Sequence, residues 1–127
     1  MKTFLILLLI MTAGCSDMSV QQIAPSKIKQ SDLILDVRTE EEHKEVSLMQ
    51  PHWIIPLAQL NAKKFIQEKK LDGSKTLYIL CRSGKRAEIA AKKIRQAGFK
   101  NIAIIQGGII AAEKSGIPVK KKEQKTF

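Results

Sequence analysis

A three-layer α/β domain, with a central mostly parallel sheet flanked by helices, is predicted by three features of the sequence. Short runs of branched apolar residues alternate with amphipathic stretches, the order expected of βαβ crossovers. The strongest runs, at 33–37, 76–80 and 101–105, are almost continuously apolar, as strands covered on both faces are. Finally, 127 residues that are 44% hydrophobic and 27% charged suffice for one core and not two, and this composition excludes collagen-like, disulfide-scaffold and disordered classes.

The elements follow in order. A first short strand is expected near Val20 to Ile23, and the run at 33–37 is the second. Thr39 with Glu42 three residues later is a capping box, so a short helix begins there. Residues 53–55 form a third strand that Pro56 ends. Apolar Leu57, Leu60, Phe65 and Ile66 among lysines predict a helix over 57–70, closed by the turn Asp72-Gly73-Ser74. The clearest strand, 76–80, places Cys81 at its carboxyl end. Ala87, Ala90, Ala91, Ile94 and Ala97 then make the buried stripe of a helix stopped by Gly98. A strand at 101–105, Gly107-Gly108 and a last short helix to about Ser115 complete the domain, assigned to 20–119, and residues 120–127 read as a mobile basic tail.

The front of the chain reads as a targeting segment. Met1-Lys2 precedes eight unbroken apolar residues, Phe4 to Met11. A bilayer span needs about 20, so the run has the length of a signal-peptide h-region and not of a membrane helix. Thr12-Ala13-Gly14 before Cys15 resembles the bacterial lipoprotein cleavage box, with Thr12 where that box most often has Leu. The resemblance implies removal of residues 1–14, lipidation of Cys15, a tether over 15–22, and an exported, periplasmic protein held to a membrane by lipid; Ser16 favours the outer membrane. With Cys15 consumed, Cys81 has no intramolecular disulfide partner.

The net charge of +10 is compatible with nucleic acid, an anionic membrane surface or a small anionic substrate. The aromatic residues are few and scattered, which leaves no stacking platform for single strands, and no nucleic-acid partner is expected.

The chemistry is expected in the loop Cys81-Arg82-Ser83-Gly84-Lys85-Arg86. Ligands of parallel sheets collect beyond the carboxyl ends of strands, where the next helix offers unpaired N–H groups. A bare strand-end cysteine reads more often as a small buried hydrophobe. Arg82, Lys85, Arg86 and Gly84 change that reading, because three cations suit an anion cradle and not a buried structural site, and a glycine lets successive N–H groups turn inward. Cys81 is therefore the predicted nucleophile, its thiolate favoured by those charges and the helix terminus.

At these residues the sequence resembles the single-domain rhodanese-like sulfurtransferases. The matching pieces are Leu35-Asp36-Val37-Arg38-Thr39 with Glu41-Glu42, Ile55-Pro56-Leu57, the Cys81–Arg86 loop with Ala87, Ala97-Gly98-Phe99, and Gly107-Gly108-Ile109 with Gly116-Ile117-Pro118-Val119. The resemblance implies a persulfide on Cys81, formed from thiosulfate or a similar small anionic donor and passed to cyanide or a thiol. It implies that the N–H groups from Arg82 to Arg86 hold the outer sulfur, while Lys85 and Arg86 draw in the donor. Two departures stand out: the segment 46–52 replaces the family's His-Ile-Pro-Gly-Ala motif with one extra residue, and Ala112 stands where a tryptophan is common, which should loosen packing under the last helix.

Asp36 and Arg38 read as a structural or loop-orienting pair. His43 and His52 read as isolated surface residues; no metal and no cofactor is expected. Two other functions fit the same loop. A non-catalytic carrier would hand its persulfide to a partner protein. A phosphatase or arsenate reductase would need arginine six positions after the cysteine, where Ala87 stands; Arg86 is five after.

Overall fold

The structure is a computed structural model that describes residues 19–124. The signal segment, the first half of the tether with Cys15, and the last three residues lie outside the described residues. The strands are β1 (Gln21–Ile23), β2 (Leu33–Asp36), β3 (Val46–Leu48), β4 (Trp53–Ile54), β5 (Leu77–Leu80), β6 (Ile102–Ile105) and β7 (Val119–Lys121). The α-helices are α1 (Glu40–Glu45), α2 (Ala62–Glu68), α3 (Lys85–Gln96) and α4 (Gly108–Lys114). Five strands form one parallel sheet in the order β1-β6-β5-β2-β4, with Asp36 level with both Leu80 and Ile54.

Each central strand sends alternate side chains to opposite apolar layers. Leu35, Val37, Leu77 and Ile79 pack with Ala87, Ala90, Ala91 and Ile94 of α3 and Phe65 of α2. Ile34, Leu80 and Ile105 pack on the other face with Leu48, Ile109 and Ala112. Both faces being covered is why these strands read as continuous apolar runs. Ala112 is 1% exposed within the second layer, so α4 seats fully on the sheet with the small side chain the sequence supplies.

The expected capping box exists: the Thr39 side chain accepts the Glu42 N–H and the Glu42 side chain reaches back to the Thr39 N–H. Three expectations need correction. The helix expected over 57–70 is broken into a 3-10 turn, Leu57–Gln59, and α2, because the side chain of Asn61 accepts the Lys64 N–H and starts a new helix there. Ala97 is exposed beyond the end of α3, where Gly98 turns the chain with φ +101°. Lys120 and Lys121, expected in a mobile tail, belong to β7, which pairs antiparallel with β3. That pairing gives the divergent segment 46–52 a structural use: Val46, Ser47 and Leu48 form a small second sheet beside α1. Among the described residues no helix is long and apolar enough to cross a membrane.

Candidate active site

Cys81 directly follows the last residue of β5 and is 1% exposed. Its Sγ accepts the backbone N–H of Gly84 at 2.9 Å, so the loop has turned at least one amide onto the sulfur. Gly84 has φ +119°, a conformation that only glycine adopts freely, and it is also the residue from which α3 starts. Arg82, Ser83 and Lys85 are exposed around the sulfur's rim.

The loop is held from beneath by its own carbonyls. Val37 N–H donates to the Leu80 carbonyl at 2.9 Å, Ile109 N–H donates to that of Cys81 at 2.8 Å, and Ile110 N–H donates to that of Arg82 at 3.5 Å. The start of α4 can come this close because residue 108 is glycine: a Cβ there would collide with the carbonyl oxygens of Cys81 and Arg82, and φ is +61°. In the sequence the Gly107-Gly108 pair signals a helix start and a family motif; this buttressing role is set by the fold and has no local signal.

Arg86 is placed differently from its expected role. Its guanidinium makes a two-pronged ion pair with Glu42 at 2.6 and 2.7 Å, joining α3 to α1. The pair with Arg86 holds the Glu42 carboxyl at about 2, and the same contact raises the Arg86 pKa. Arg82 and Lys85 therefore supply the exposed positive charge beside Cys81.

Asp36 and Arg38 form a buried ion pair, with Arg38 Nη2 2.8 Å from Asp36 Oδ2 and Nε 3.1 Å from both carboxylate oxygens. Arg38 also donates to the carbonyls of Glu42 and Val46 at 3.3 and 2.7 Å. It thus anchors α1, whose Glu42 in turn holds Arg86. His43 and His52, expected to be isolated on the surface, are brought together instead: both are half-buried and their Nε2 atoms are 2.8 Å apart. Burial is the main cause holding the His43 pKa below its ordinary value. Folding of the 46–52 segment beside α1 creates this pairing, which no local spacing signals.

A cavity of about 270 Å³ lined by Leu33, Ile34, Pro51, His52 and Trp53 lies at the amino-terminal ends of β2 and β4, opposite the end of the sheet that carries Cys81.

Comparison with known proteins matches residues 20–114 to the model of the Rhodanese-like domain. The chain is 36% identical to RP600 of Rickettsia prowazekii, covering 72% of this chain and 85% of that one. It is 32% identical to the "Putative sulfur carrier protein YrkF" of Bacillus subtilis, covering 60% of this chain and 38% of YrkF; the chain thus spans little more than a third of that relative. Among solved structures, a rhodanese-related protein of Thermoplasma volcanium superimposes with a TM-score of 0.63 at 25% identity, covering 80% of this chain and 99% of that one.

Proposed function

Because the chain belongs to the rhodanese-like domain family, we propose that it transfers sulfane sulfur through a persulfide on Cys81. The observation that carries the reading is the Gly84 N–H directed at Cys81 Sγ inside a short, tightly turned loop. An amide so placed stabilises negative charge on sulfur without having to reorganise during reaction.

The chemistry is a pair of displacements. The Cys81 thiolate attacks the outer sulfur of thiosulfate, a new S–S bond forms, and the old one breaks with its electron pair leaving on sulfite. A thiophile, cyanide or a thiolate, then attacks the terminal sulfur, and Cys81 departs as thiolate. Neither step needs a metal or a redox partner. Since Arg86 is committed to Glu42, attraction of the donor falls to Arg82 and Lys85. The six-residue loop from Cys81 to Arg86 suits a single sulfur atom better than a tetrahedral phosphate.

The likeness to YrkF supports a second reading, a carrier that passes its persulfide to a protein. The exposed rim of Arg82, Ser83 and Lys85 suits either acceptor. Mass spectrometry after thiosulfate treatment separates the readings when combined with turnover. A gain of one sulfur atom on Cys81 with steady thiosulfate:cyanide activity, both lost in Cys81→Ser, is the expected result. A folded wild type that turns over no small donor, yet accepts sulfur from a protein, favours the carrier.

The segment ending at Cys15 supports export and lipid anchoring, as proposed from the sequence. The mass of the mature protein tests it: a diacylglycerol-modified Cys15 is expected, and an unmodified amino terminus refutes it.

A further inference from the structure

On the sheet face away from α3, one carboxylate oxygen of Asp36 and one ring nitrogen each of His43 and His52 all lie within 4.8 Å of one another. Three elements supply them: the end of β2, the middle of α1 and the turn before β4. We propose that these three residues bind a divalent transition-metal cation, of the zinc, copper(II) or nickel(II) class, at a site separate from Cys81 and independent of the sulfur-transfer reading.

The donor set and its supports argue for this. His52 Nδ1 lies 2.8 Å from the carbonyl oxygen of Gln50, which can only accept, so Nδ1 carries the proton and the Nε2 lone pair faces His43. A backbone carbonyl fixing the far ring nitrogen is the usual support of a ligating histidine. The Gln50 backbone is itself set in place, since the buried Gln50 side chain donates to the Lys29 carbonyl at 2.9 Å. Asp36 is equally fixed. Its oxygens accept four hydrogen bonds from Arg38, but the Nε–H is shared between the two oxygens, so three N–H groups face about four lone-pair directions and one direction is left for a cation.

Metal and ligand must fit in size and kind. Tetrahedral ligands at about 2.1 Å from an ion stand about 3.4 Å apart. The two imidazole nitrogens, now 2.8 Å apart, need to open by roughly half an ångström and to close on the carboxylate, which Arg38 keeps in place. Both histidines are half-buried, so the movement falls to them and not to buried Asp36. The proton between the two Nε2 atoms is displaced by the cation, with His43 adopting the Nδ1–H form. Two imidazoles and one carboxylate whose charge Arg38 already balances select nitrogen-seeking ions over magnesium or calcium. Three protein ligands leave a fourth position for water or a small ligand.

The test uses the full chain without a polyhistidine tag, stripped with chelator and titrated with zinc(II) by calorimetry and with cobalt(II) by visible absorption. One ion per chain in the micromolar range is expected, with a cobalt spectrum lacking thiolate charge transfer and a zinc-dependent rise in Tm. His43→Gln and His52→Gln, each checked for folding by circular dichroism, should weaken binding at least tenfold, and Cys81→Ser should leave it unchanged. Thiolate bands, loss of binding in Cys81→Ser, wild-type affinity in both histidine variants, or no binding at 100 times the expected range would each overturn the proposal.

Discussion

The carbonyl oxygen of Cys81 occupies the place where a side chain on Gly108 would begin. The nucleophile's own backbone is therefore seated on the amino end of α4, and no other residue type fits beneath it. Gly108→Ala should destabilise the protein by roughly 2–4 kcal/mol, the sum of a left-handed backbone penalty and crowding. Urea unfolding measures the loss. Sulfur transfer by the surviving folded fraction should fall as well, because the loop can only relieve the collision by moving; unchanged stability would remove the buttress.

The pair between Glu42 and Arg86 gives a pH-dependent contribution with a defined sign. The Glu42 carboxyl is held at about 2 in the folded chain against an ordinary 4.5. Stability from this group is thus fully present above about 4.5 and is lost as pH falls toward about 2. Glu42→Gln keeps a side chain able to complete the capping box and removes only the charge. The variant should be less stable by about 1 kcal/mol at neutral pH. The two proteins, compared in chelator-containing buffer, should converge as pH approaches 2; a gap that stays constant across that window would show that charge is not the cause.

Ala112 is enclosed by Ile34, Leu48, Leu80, Ile105 and Ile109 in one apolar layer. Installing the ring common in the family should harm this chain. Ala112→Trp is expected to lower stability by about 1–3 kcal/mol through overpacking. A rise in Tm instead would reveal unfilled space under α4.

The exposed charges beside Cys81 are expected to act on donor capture and not on chemistry. Arg82→Glu should raise KM for thiosulfate roughly tenfold at low salt with kcat little changed, and added salt should narrow the difference. A fall in kcat at unchanged KM would assign Arg82 to the displacement itself.

Much of this architecture is written locally. The spacing of Thr39 and Glu42 announces the start of α1, and the alanines at 87, 90 and 91 with Ile94 announce the buried side of α3. Cys81 is legible because its neighbours in sequence are also its neighbours in space. What escapes is everything set by distant pairing. The two-pronged contact of Arg86 with Glu42, the meeting of His43 with His52 and the approach of Gly108 to Cys81 each join segments whose proximity is decided by the sheet. β3 and β7 are three residues each, too short for periodicity to register, and exist only because they find one another.

That last pairing orders events during assembly. β3 follows α1 directly, yet its partner is translated only after β4, β5, β6 and the helices between them. Val46, whose carbonyl receives Arg38, therefore lacks its antiparallel partner until residues 119–121 have emerged. Contacts of such long range form late and slow a folding reaction. The sheet edge beside α1 is thus closed last, by the final strand of the described chain.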